Sequence, residues 1–239
     1  MTLWASRLIL LAWPIAILAL ASFRLNLMSF RIPLLIVALA VLLASIGILL
    51  LILGLLIGAF KGAPTMPGLV GVVYFIAGLV IVAPAFQAVM VGASVPPIHD
   101  ITTDPDDPPV YNHVPTIRKA SDNSLELDAA VIDQQRQAYS DLVGITLASG
   151  KPEAMARAVA VAENMGWRIV SRDDENGQIE AVAQTLIFGF KDDIVVRLRE
   201  VQDGVRVDVR SASRVGLSDL GANAARIRAY LAAFQDAGE

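Results

Sequence analysis

The densest chemistry in the chain lies between Asp192 and Asp219. There Arg197, Arg199, Arg206, Arg210 and Arg214 are interleaved with Asp192, Asp193 and Asp208, and with Ser211, Ser213, Ser218 and Asp219. Guanidinium forks suit carboxylates and phosphates, so this set is a candidate binding surface for an anion or a partner. A helix beginning at Ser218-Asp219, beside Arg214, would add backbone donors for an anion. The bland reading stands next to it: a solvated sheet face laced with ion pairs, followed by a helix cap. No residue is assigned a catalytic role. A serine nucleophile needs a positioned base, and the only histidines are His99 and His113, outside this region. An enzyme acting on an anionic envelope substrate is the alternative, with Arg197, Arg210 and Arg214 binding and Asp192 or Asp193 as acid/base.

Position of these residues depends on the elements that carry them. Leu142–Leu147 reads as a strand. Lys151-Pro152-Glu153 opens a helix whose apolar stripe is Met155, Ala158, Val159, Ala162 and Met165, closed by Gly166. Strands follow at Trp167–Ser171 and Ile179–Thr185, with the turn Asp174-Glu175-Asn176-Gly177 between them. Ile194–Glu200 and Val205–Ser211 flank Asp203-Gly204, a hairpin signal. Leu220–Phe234 is the last helix, with Ser218 or Asp219 as its cap. The order β-α-β-β-β-β-α predicts an α+β domain at 139–239, an antiparallel sheet with two helices on one face. With the turn at Asp203-Gly204, Arg199 opposes Asp208 and Arg197 opposes Arg210. Val196, Leu198, Val207 and Val209 then face the helices, and Arg197, Arg199, Arg206, Asp208 and Arg210 the other side.

The N-terminal part is different in kind. Of 239 residues, 55% are hydrophobic and mean hydropathy is +0.59. All 23 acidic residues lie from Asp100 onward, and only Arg7, Arg24, Arg31 and Lys61 are basic before it. Three apolar stretches, about 4–23, 32–60 and 68–92, are each long enough to span a bilayer, which takes about 20 residues. Residues 1–94 are therefore read as three transmembrane helices. The first also resembles a signal peptide, with Arg7 before it and Ala19–Ala21 near a small-residue cleavage site, but Arg24 and a second span follow at once. Gly47, Gly54 and Gly58, and Gly68, Gly71 and Gly78, form small faces suited to close helix contact. The second and third spans contain no Asp, Glu, Lys or His, which argues against ion transport by this chain alone. Membrane lipids, and a membrane-protein partner packed on these helices, are the expected partners. Arg7 and Lys61 balance Arg24 and Arg31 across the membrane, so charge hardly fixes orientation. An acidic C-terminal part excludes nucleic acid as an expected partner.

Between the two parts, 95–138 reads as a Pro- and Asp-rich linker and irregular lead-in, with short helical pieces around 117–120 and 125–137. His99, Asp100, Asp104, Asp106 and Asp107 are cation-ligand types, but their spacing matches no calcium loop and prolines interrupt it. No Walker loop, dinucleotide fingerprint or metal-ligand set occurs, and there is no cysteine, so no cofactor or metal is expected.

The stretch FGFKDDIVVRLRE…GVRVDVRSASRVGLSDLGANAARIRAYL, with MGW, IEA and PPIHDITTDPDDPP before it, resembles the bacterial and plastid domain-of-unknown-function family 1499 over residues 95–236. Relatives often carry a Cys-Val-Ser-Ser segment after the linker. Here that place reads Tyr111-Asn112-His113-Val114-Pro115, so any role of that cysteine is absent. The resemblance implies an exported or lipid-anchored setting and no activity. Together these readings predict a protein of the bacterial inner membrane with a periplasmic domain. Its expected role is that of a non-enzymatic accessory or scaffold subunit, binding a protein partner or an anionic lipid headgroup.

Overall fold

The computed structural model describes residues 1–25, 27–62 and 66–237, and the C-terminal limit expected at Glu239 lies outside them. The chain forms two compact units. One is Met1–Met90, with which Ile187–Gly189 are grouped; the other is the remainder from Val91.

The first unit contains α1 (Thr2–Arg24), α2 (Arg31–Phe60) and α3 (Gly68–Gly92), each long and apolar enough to cross a membrane. At 1.5 Å per residue they are roughly 35–45 Å long, against a hydrocarbon core of about 30 Å. Small residues set how closely they pack. A Cβ on Gly47 would lie 2.6 Å from Ile9 Cγ1, and one on Gly78 would lie 2.7 Å from Ile48 Cγ1. Gly47, Gly54 and Gly58 are all buried, as the small-face reading requires. Gly68 meets nothing within 4 Å and plays no such part. Gly47→Leu should therefore force α1 and α2 apart, at a cost of about 1–3 kcal/mol for overpacking. A lower thermal midpoint of the detergent-solubilised chain, with the Gly68→Leu midpoint unchanged, is the expected result.

The second unit is an antiparallel sheet of six strands with helices, the α+β arrangement that the pattern predicts. Its strands are β1 (Asp100–Thr102), β2 (Ile145–Leu147), β3 (Arg168–Asp173), β4 (Gln178–Gln184), β5 (Lys191–Val201) and β6 (Gly204–Ser213). Its helices are α4 (Val114–Ile117), α5 (Ala129–Ala138), α6 (Lys151–Asn164) and α7 (Ala222–Asp236). The strands run β1-β6-β5-β4-β3, and β2 also pairs with β6. Strands β1 and β2 thus share one edge of β6, against Arg210–Ala212 and Val205–Val207 respectively.

From β2 onward the observed order follows the hydrophobic periods. Helices α6 and α7 pack on one sheet face through Met155, Ala158, Ala162, Ile227, Tyr230 and Phe234, against Ile194, Val196, Leu198, Val205, Val207 and Val209. Trp167 stacks on Tyr230 at 5.0 Å, and the Tyr230 hydroxyl donates to Ala158 O at 3.1 Å, which satisfies the one polar atom of that ring in the core.

The register of the central hairpin differs from expectation. The two-residue loop is Gln202-Asp203, and Gly204, at φ +131°, is the first residue of β6. Consequently Arg199 opposes Arg206, Arg197 opposes Asp208, and Arg210 opposes Val195 rather than Arg197. The difference amounts to two positions along the ladder. Because side chains alternate with period two, an even shift re-pairs residues without moving them to the other face. The assignment of faces therefore holds while the pairs change. A Cβ on Gly204 would come within 2.0 Å of Leu147 O, which explains why the glycine sits inside the strand.

The largest departure is the Pro- and Asp-rich stretch, where a solvated tether is expected. It supplies β1 and a strap, residues 103–125, laid over the sheet face away from α6 and α7. Tyr111 and Val114 of the strap form a second small core with Val195 and Ala212, flanked by Leu125 and Val170. The outer edge of β1 is covered by the Gln135 amide of α5. Its Nε2 donates to Thr102 O at 2.6 Å, and its Oε1 accepts from Thr102 N at 2.9 Å. A side chain here does the work of a neighbouring strand. Helix α5 is capped by Asp128, which accepts from Ala130 N at 2.7 Å.

Candidate functional site

The arginine face is a layered set of ion pairs between sheet and strap: it is laced with ion pairs as expected, but the strap covers Arg210, Arg214 and their carboxylates and leaves Arg199 and Arg206 part-exposed. Three groups can be separated. In the first, near the hairpin tip, Arg197, Arg199 and Arg206 meet Asp208 from the sheet and Asp104 and Asp107 from the strap. Arg199 Nη2 donates to Asp208 at 2.9 Å and to Asp104 at 2.8 Å, and its Nη1 to Asp107 at 2.6 Å. Arg197 Nη2 reaches Asp104 at 3.2 Å and the Asp107 carbonyl at 2.6 Å. Arg206 Nε donates to Asp208 Oδ2 at 3.1 Å. Three guanidiniums face three carboxylates, so the cluster is neutral. Asp208 is fully buried, and Thr103 Oγ1 also donates to it at 3.3 Å. Arg199–Asp208 is thus an ion pair, as expected, but a diagonal one.

The second group is Arg210 with Asp100. Arg210 grips Asp100 with both Nε (3.0 Å) and Nη2 (2.7 Å), and donates to the carbonyls of Leu125 (2.6 Å) and Pro109 (3.2 Å). Its Cζ lies 5.0 Å from the centroid of the Tyr111 ring. Both partners are nearly inaccessible to water. Burial pushes the Asp100 carboxyl above its ordinary value, and the Arg210 bond only partly offsets this.

In the third group the fully buried Asp193 holds two cations. Arg214 donates through Nε (3.0 Å to Oδ2) and Nη2 (2.7 Å to Oδ1), and Arg118 through Nη1 (2.6 Å). The Tyr111 hydroxyl donates to Asp193 O at 2.9 Å.

Asp192, Ser211 and Ser213 fall outside these groups because strand parity sends them to the helix side, and Asp219 lies in the loop between β6 and α7. Asp192 pairs with Arg226 of α7. Asn223, fully buried, gathers the two serines: Ser211 Oγ donates to its Oδ1 at 2.7 Å, and its Nδ2 donates to Ser213 Oγ at 3.0 Å and to His99 O at 2.9 Å. The N-cap position of α7 is Gly221, in the left-handed region at φ +78°, and neither Ser218 nor Asp219 occupies it. Asp219 nevertheless receives the Gly221 and Asn223 amides, both at 2.8 Å, so it caps the first turn from two positions earlier. Ser218 Oγ accepts from Leu220 N at 3.2 Å. The expected site residues therefore divide between two faces and do not form one surface.

Two residues of this network have roles other than the sequence suggests: Glu180, which reads as a counter-anion between Arg197 and Arg210, binds backbone amides, and Arg118 carries no expectation. Glu180, almost fully buried, accepts three consecutive amides of the strap: Asn112 (2.7 Å), His113 (2.9 Å) and Val114 (2.7 Å). It anchors the segment Tyr111-Asn112-His113-Val114-Pro115 on the sheet. The carboxylates weighed as cation ligands hold arginines instead: Asp100 with Arg210, Asp104 and Asp107 with the tip cluster, and Asp106 with Arg136. The signal for the strap was charge complementarity between Asp-Pro-Asp-Asp and the arginine strands, which a reading of secondary structure alone passes over.

The carboxyl groups divide in their response to acid. Burial and, to a lesser degree, the Asp192 charge raise Asp219 despite its two amide donors, and Asp100 is raised too. For Asp104, burial alone would raise the group, but the Asp107 amide and Arg199 outweigh it and the net shift is downward. Asp141 is lowered by its bonds to Arg228. A raised carboxyl destabilises the fold when ionised, so protonating Asp219 and Asp100 adds stability as pH falls from neutral toward the ordinary value of 3.8. The lowered pair contributes stability that is full above 3.8 and lost below it. The melting midpoint should therefore rise slightly on mild acidification and drop below that point. In Asp219→Asn, which keeps a capping oxygen, the mild-acid rise should shrink.

A family model described as a protein of unknown function, DUF1499, matches residues 100–234. That match begins at β1 and ends within α7, so it takes in the strap together with the sheet. No curated protein matches the chain. With more than half of its length covered by that match, which begins at the Asp100 that Arg210 grips, the chain belongs to the DUF1499 family.

Proposed function

We propose that this is a membrane-anchored, non-enzymatic accessory protein of the bacterial cell envelope, with the three apolar helices as anchor or subunit interface and the domain as a binding module. The observation that carries this reading is the internal neutralisation of the arginine face. Arg197, Arg199, Arg206, Arg210 and Arg214 each hold a carboxylate of the same domain, so the residues best suited to grip an anionic substrate serve the fold. Asp192 and Asp193, the candidate acid/base groups, are likewise engaged by Arg226 and by Arg214 with Arg118. A lipid headgroup would have to displace these partners, which favours a partner that docks elsewhere on the domain or against the helices.

Co-purification of the full chain in mild detergent tests the reading. A stoichiometric membrane-protein partner is the expected result. A monodisperse monomer, with turnover of an envelope phosphate or ester substrate, would replace it by the enzyme alternative. The periplasmic placement of the domain has its own test: a reporter fused after Glu239 should be active in the periplasm, and cytoplasmic activity would reverse the orientation.

A further inference from the structure

Helix α3 meets α1 and α2 along one narrow line. Of its 25 residues only Gly71 and Gly78 are buried, a heptad apart on the same side. A Cβ on Gly71 would lie 3.5 Å from Leu55 Cδ1, and Gly78 abuts Ile48. The far side of the helix is exposed. One row on it advances by alternating steps of three and four residues: Val73, Ile76, Val80, Ala83, Gln87 and Met90. That is the spacing with which two helices interlock in a left-handed pair.

An apolar row alone suits lipid as well as it suits a partner. Gln87 is the residue that lipid does not explain. Only Tyr74 and Gln87 bring side-chain nitrogen or oxygen to α3. Tyr74 turns inward and packs on the Ala5, Ile9 and Leu51 core. Gln87 turns outward, and among the described residues its amide makes no hydrogen bond. The apolar residues Ala88–Val91 follow before the helix ends at Gly92, so the amide is not at the terminus. In hydrocarbon an amide without a partner is costly. Pro84, one turn earlier, also removes the helix amide that would bond the Val80 carbonyl, and Val80 belongs to the same row.

The chemistry of that amide selects its partner. A glutamine amide donates and accepts at once, so it is complementary to itself. Copies of one chain inserted in the same direction pack in parallel. In a parallel pair with this spacing, like positions face each other across the seam. Gln87 then meets its own counterpart, and the apolar positions on either side meet theirs.

We infer that α3 pairs with α3 of a second copy of this chain through the row from Val73 to Met90, the two Gln87 amides bonded to each other within the seam. The apolar positions supply close packing and the amides fix the register. This rests on the membrane-anchored reading above and deepens it, naming the chain itself as a partner of its helices. It does not depend on the accessory role.

The absence of cysteine makes the test direct, since any introduced thiol is the only one. Full-length Ile76→Cys, Val80→Cys and Ala83→Cys probe the seam. Leu79→Cys and Phe86→Cys, exposed but off the row, are the references. Each would be oxidised with copper–phenanthroline in the membranes of the expressing cells, and the rate of disulfide-linked dimer formation measured. Seam positions should link several-fold faster than the references. Gln87→Leu in the Ala83→Cys background should slow linking several-fold, and Gln87→Asn should restore much of it. Equal rates at seam and reference positions, or no linking at all, overturn the proposal. So does a rate that Gln87→Leu leaves unchanged. Seam thiols that link to a different polypeptide would give the face to another protein and overturn the pairing. Recovery in carbonate-washed membranes is scored alongside. Loss from that fraction fails the anchor itself, whereas an anchored chain without seam links fails only the pairing.

Discussion

Arg210→Gln should cost the domain about 3–5 kcal/mol, because it strands the Asp100 carboxylate in a buried site. Glutamine is too short and too weak a donor to replace two charge-assisted bonds at 2.7 and 3.0 Å, and it also releases the carbonyls of Leu125 and Pro109. Against a total stability of roughly 5–15 kcal/mol, that is a large share. Denaturant titration of the full chain in detergent, followed by near-ultraviolet circular dichroism of the domain's aromatic residues, is the measurement. An unchanged midpoint would mean that water reaches Asp100 in solution. The double change Arg210→Met with Asp100→Leu should recover much of the loss, since removing both charges also removes the desolvation cost. On a reading of this face as solvated, Arg210→Gln would have been nearly silent. The outcome therefore separates a covered sheet from an open one.

Asp193→Asn should have an effect of similar size, about 3–5 kcal/mol, with a different spatial signature. The substitution keeps shape and removes charge, so Arg214 and Arg118 are left as cations facing a neutral amide. Arg118 belongs to the strap, and Arg214 follows the end of β6. The strap should therefore loosen before the sheet opens. Hydrogen exchange is the sensitive probe. Amides of Asn112, His113 and Val114, bonded to Glu180, should lose protection at least tenfold more than those of Val196 or Val209. Uniform loss across the sheet would indicate that strap and sheet form one cooperative unit. Arg199→Gln is the comparison: this half-exposed arginine shares its carboxylates with two neighbours, and screening limits its loss to about 1 kcal/mol.

The contrast between these sites shows which parts of the chain were legible in its sequence. Strands β2 to β6 and helices α6 and α7 announce themselves through period: Val196, Leu198, Val207 and Val209 alternate, and Ile227, Leu231 and Phe234 recur at helical spacing. The apolar helices are legible through length alone. Hairpin register was read two positions off, because Asp203-Gly204 is a strong turn signal and yet Gly204 is needed inside β6, where Leu147 O leaves no room for a Cβ. The strap was not legible, for a physical reason. It has little regular secondary structure, and its fixing contacts are polar and long-range: Asp100 to Arg210, Asp104 to Arg199, and Glu180 to the amides of Asn112–Val114. Prolines and aspartates describe a solvated tether equally well until their partners, some hundred residues on, are placed opposite them. The candidate site suffered the same way: the strands showed the cations with Asp193 and Asp208, while Asp100, Asp104 and Asp107 lay in the stretch set aside as linker.

The edge of β6 that β1 and β2 share also sets an order in time. Asp100 is made 110 residues before the arginine it must meet. At 5–20 residues per second, about 5–20 seconds of synthesis separate them. Through that interval the aspartates of 100–107 stay in water, where bearing charge costs nothing. The strap's few apolar groups are too sparse to collapse on their own. β3, β4 and β5 can pair among themselves as they emerge, but β1 and β2 have no partner except β6, so their side of the sheet stays open until that strand arrives. The first part of the domain to leave the ribosome is thus among the last to find its place, and the sheet is completed only on the arrival of residues 204–213.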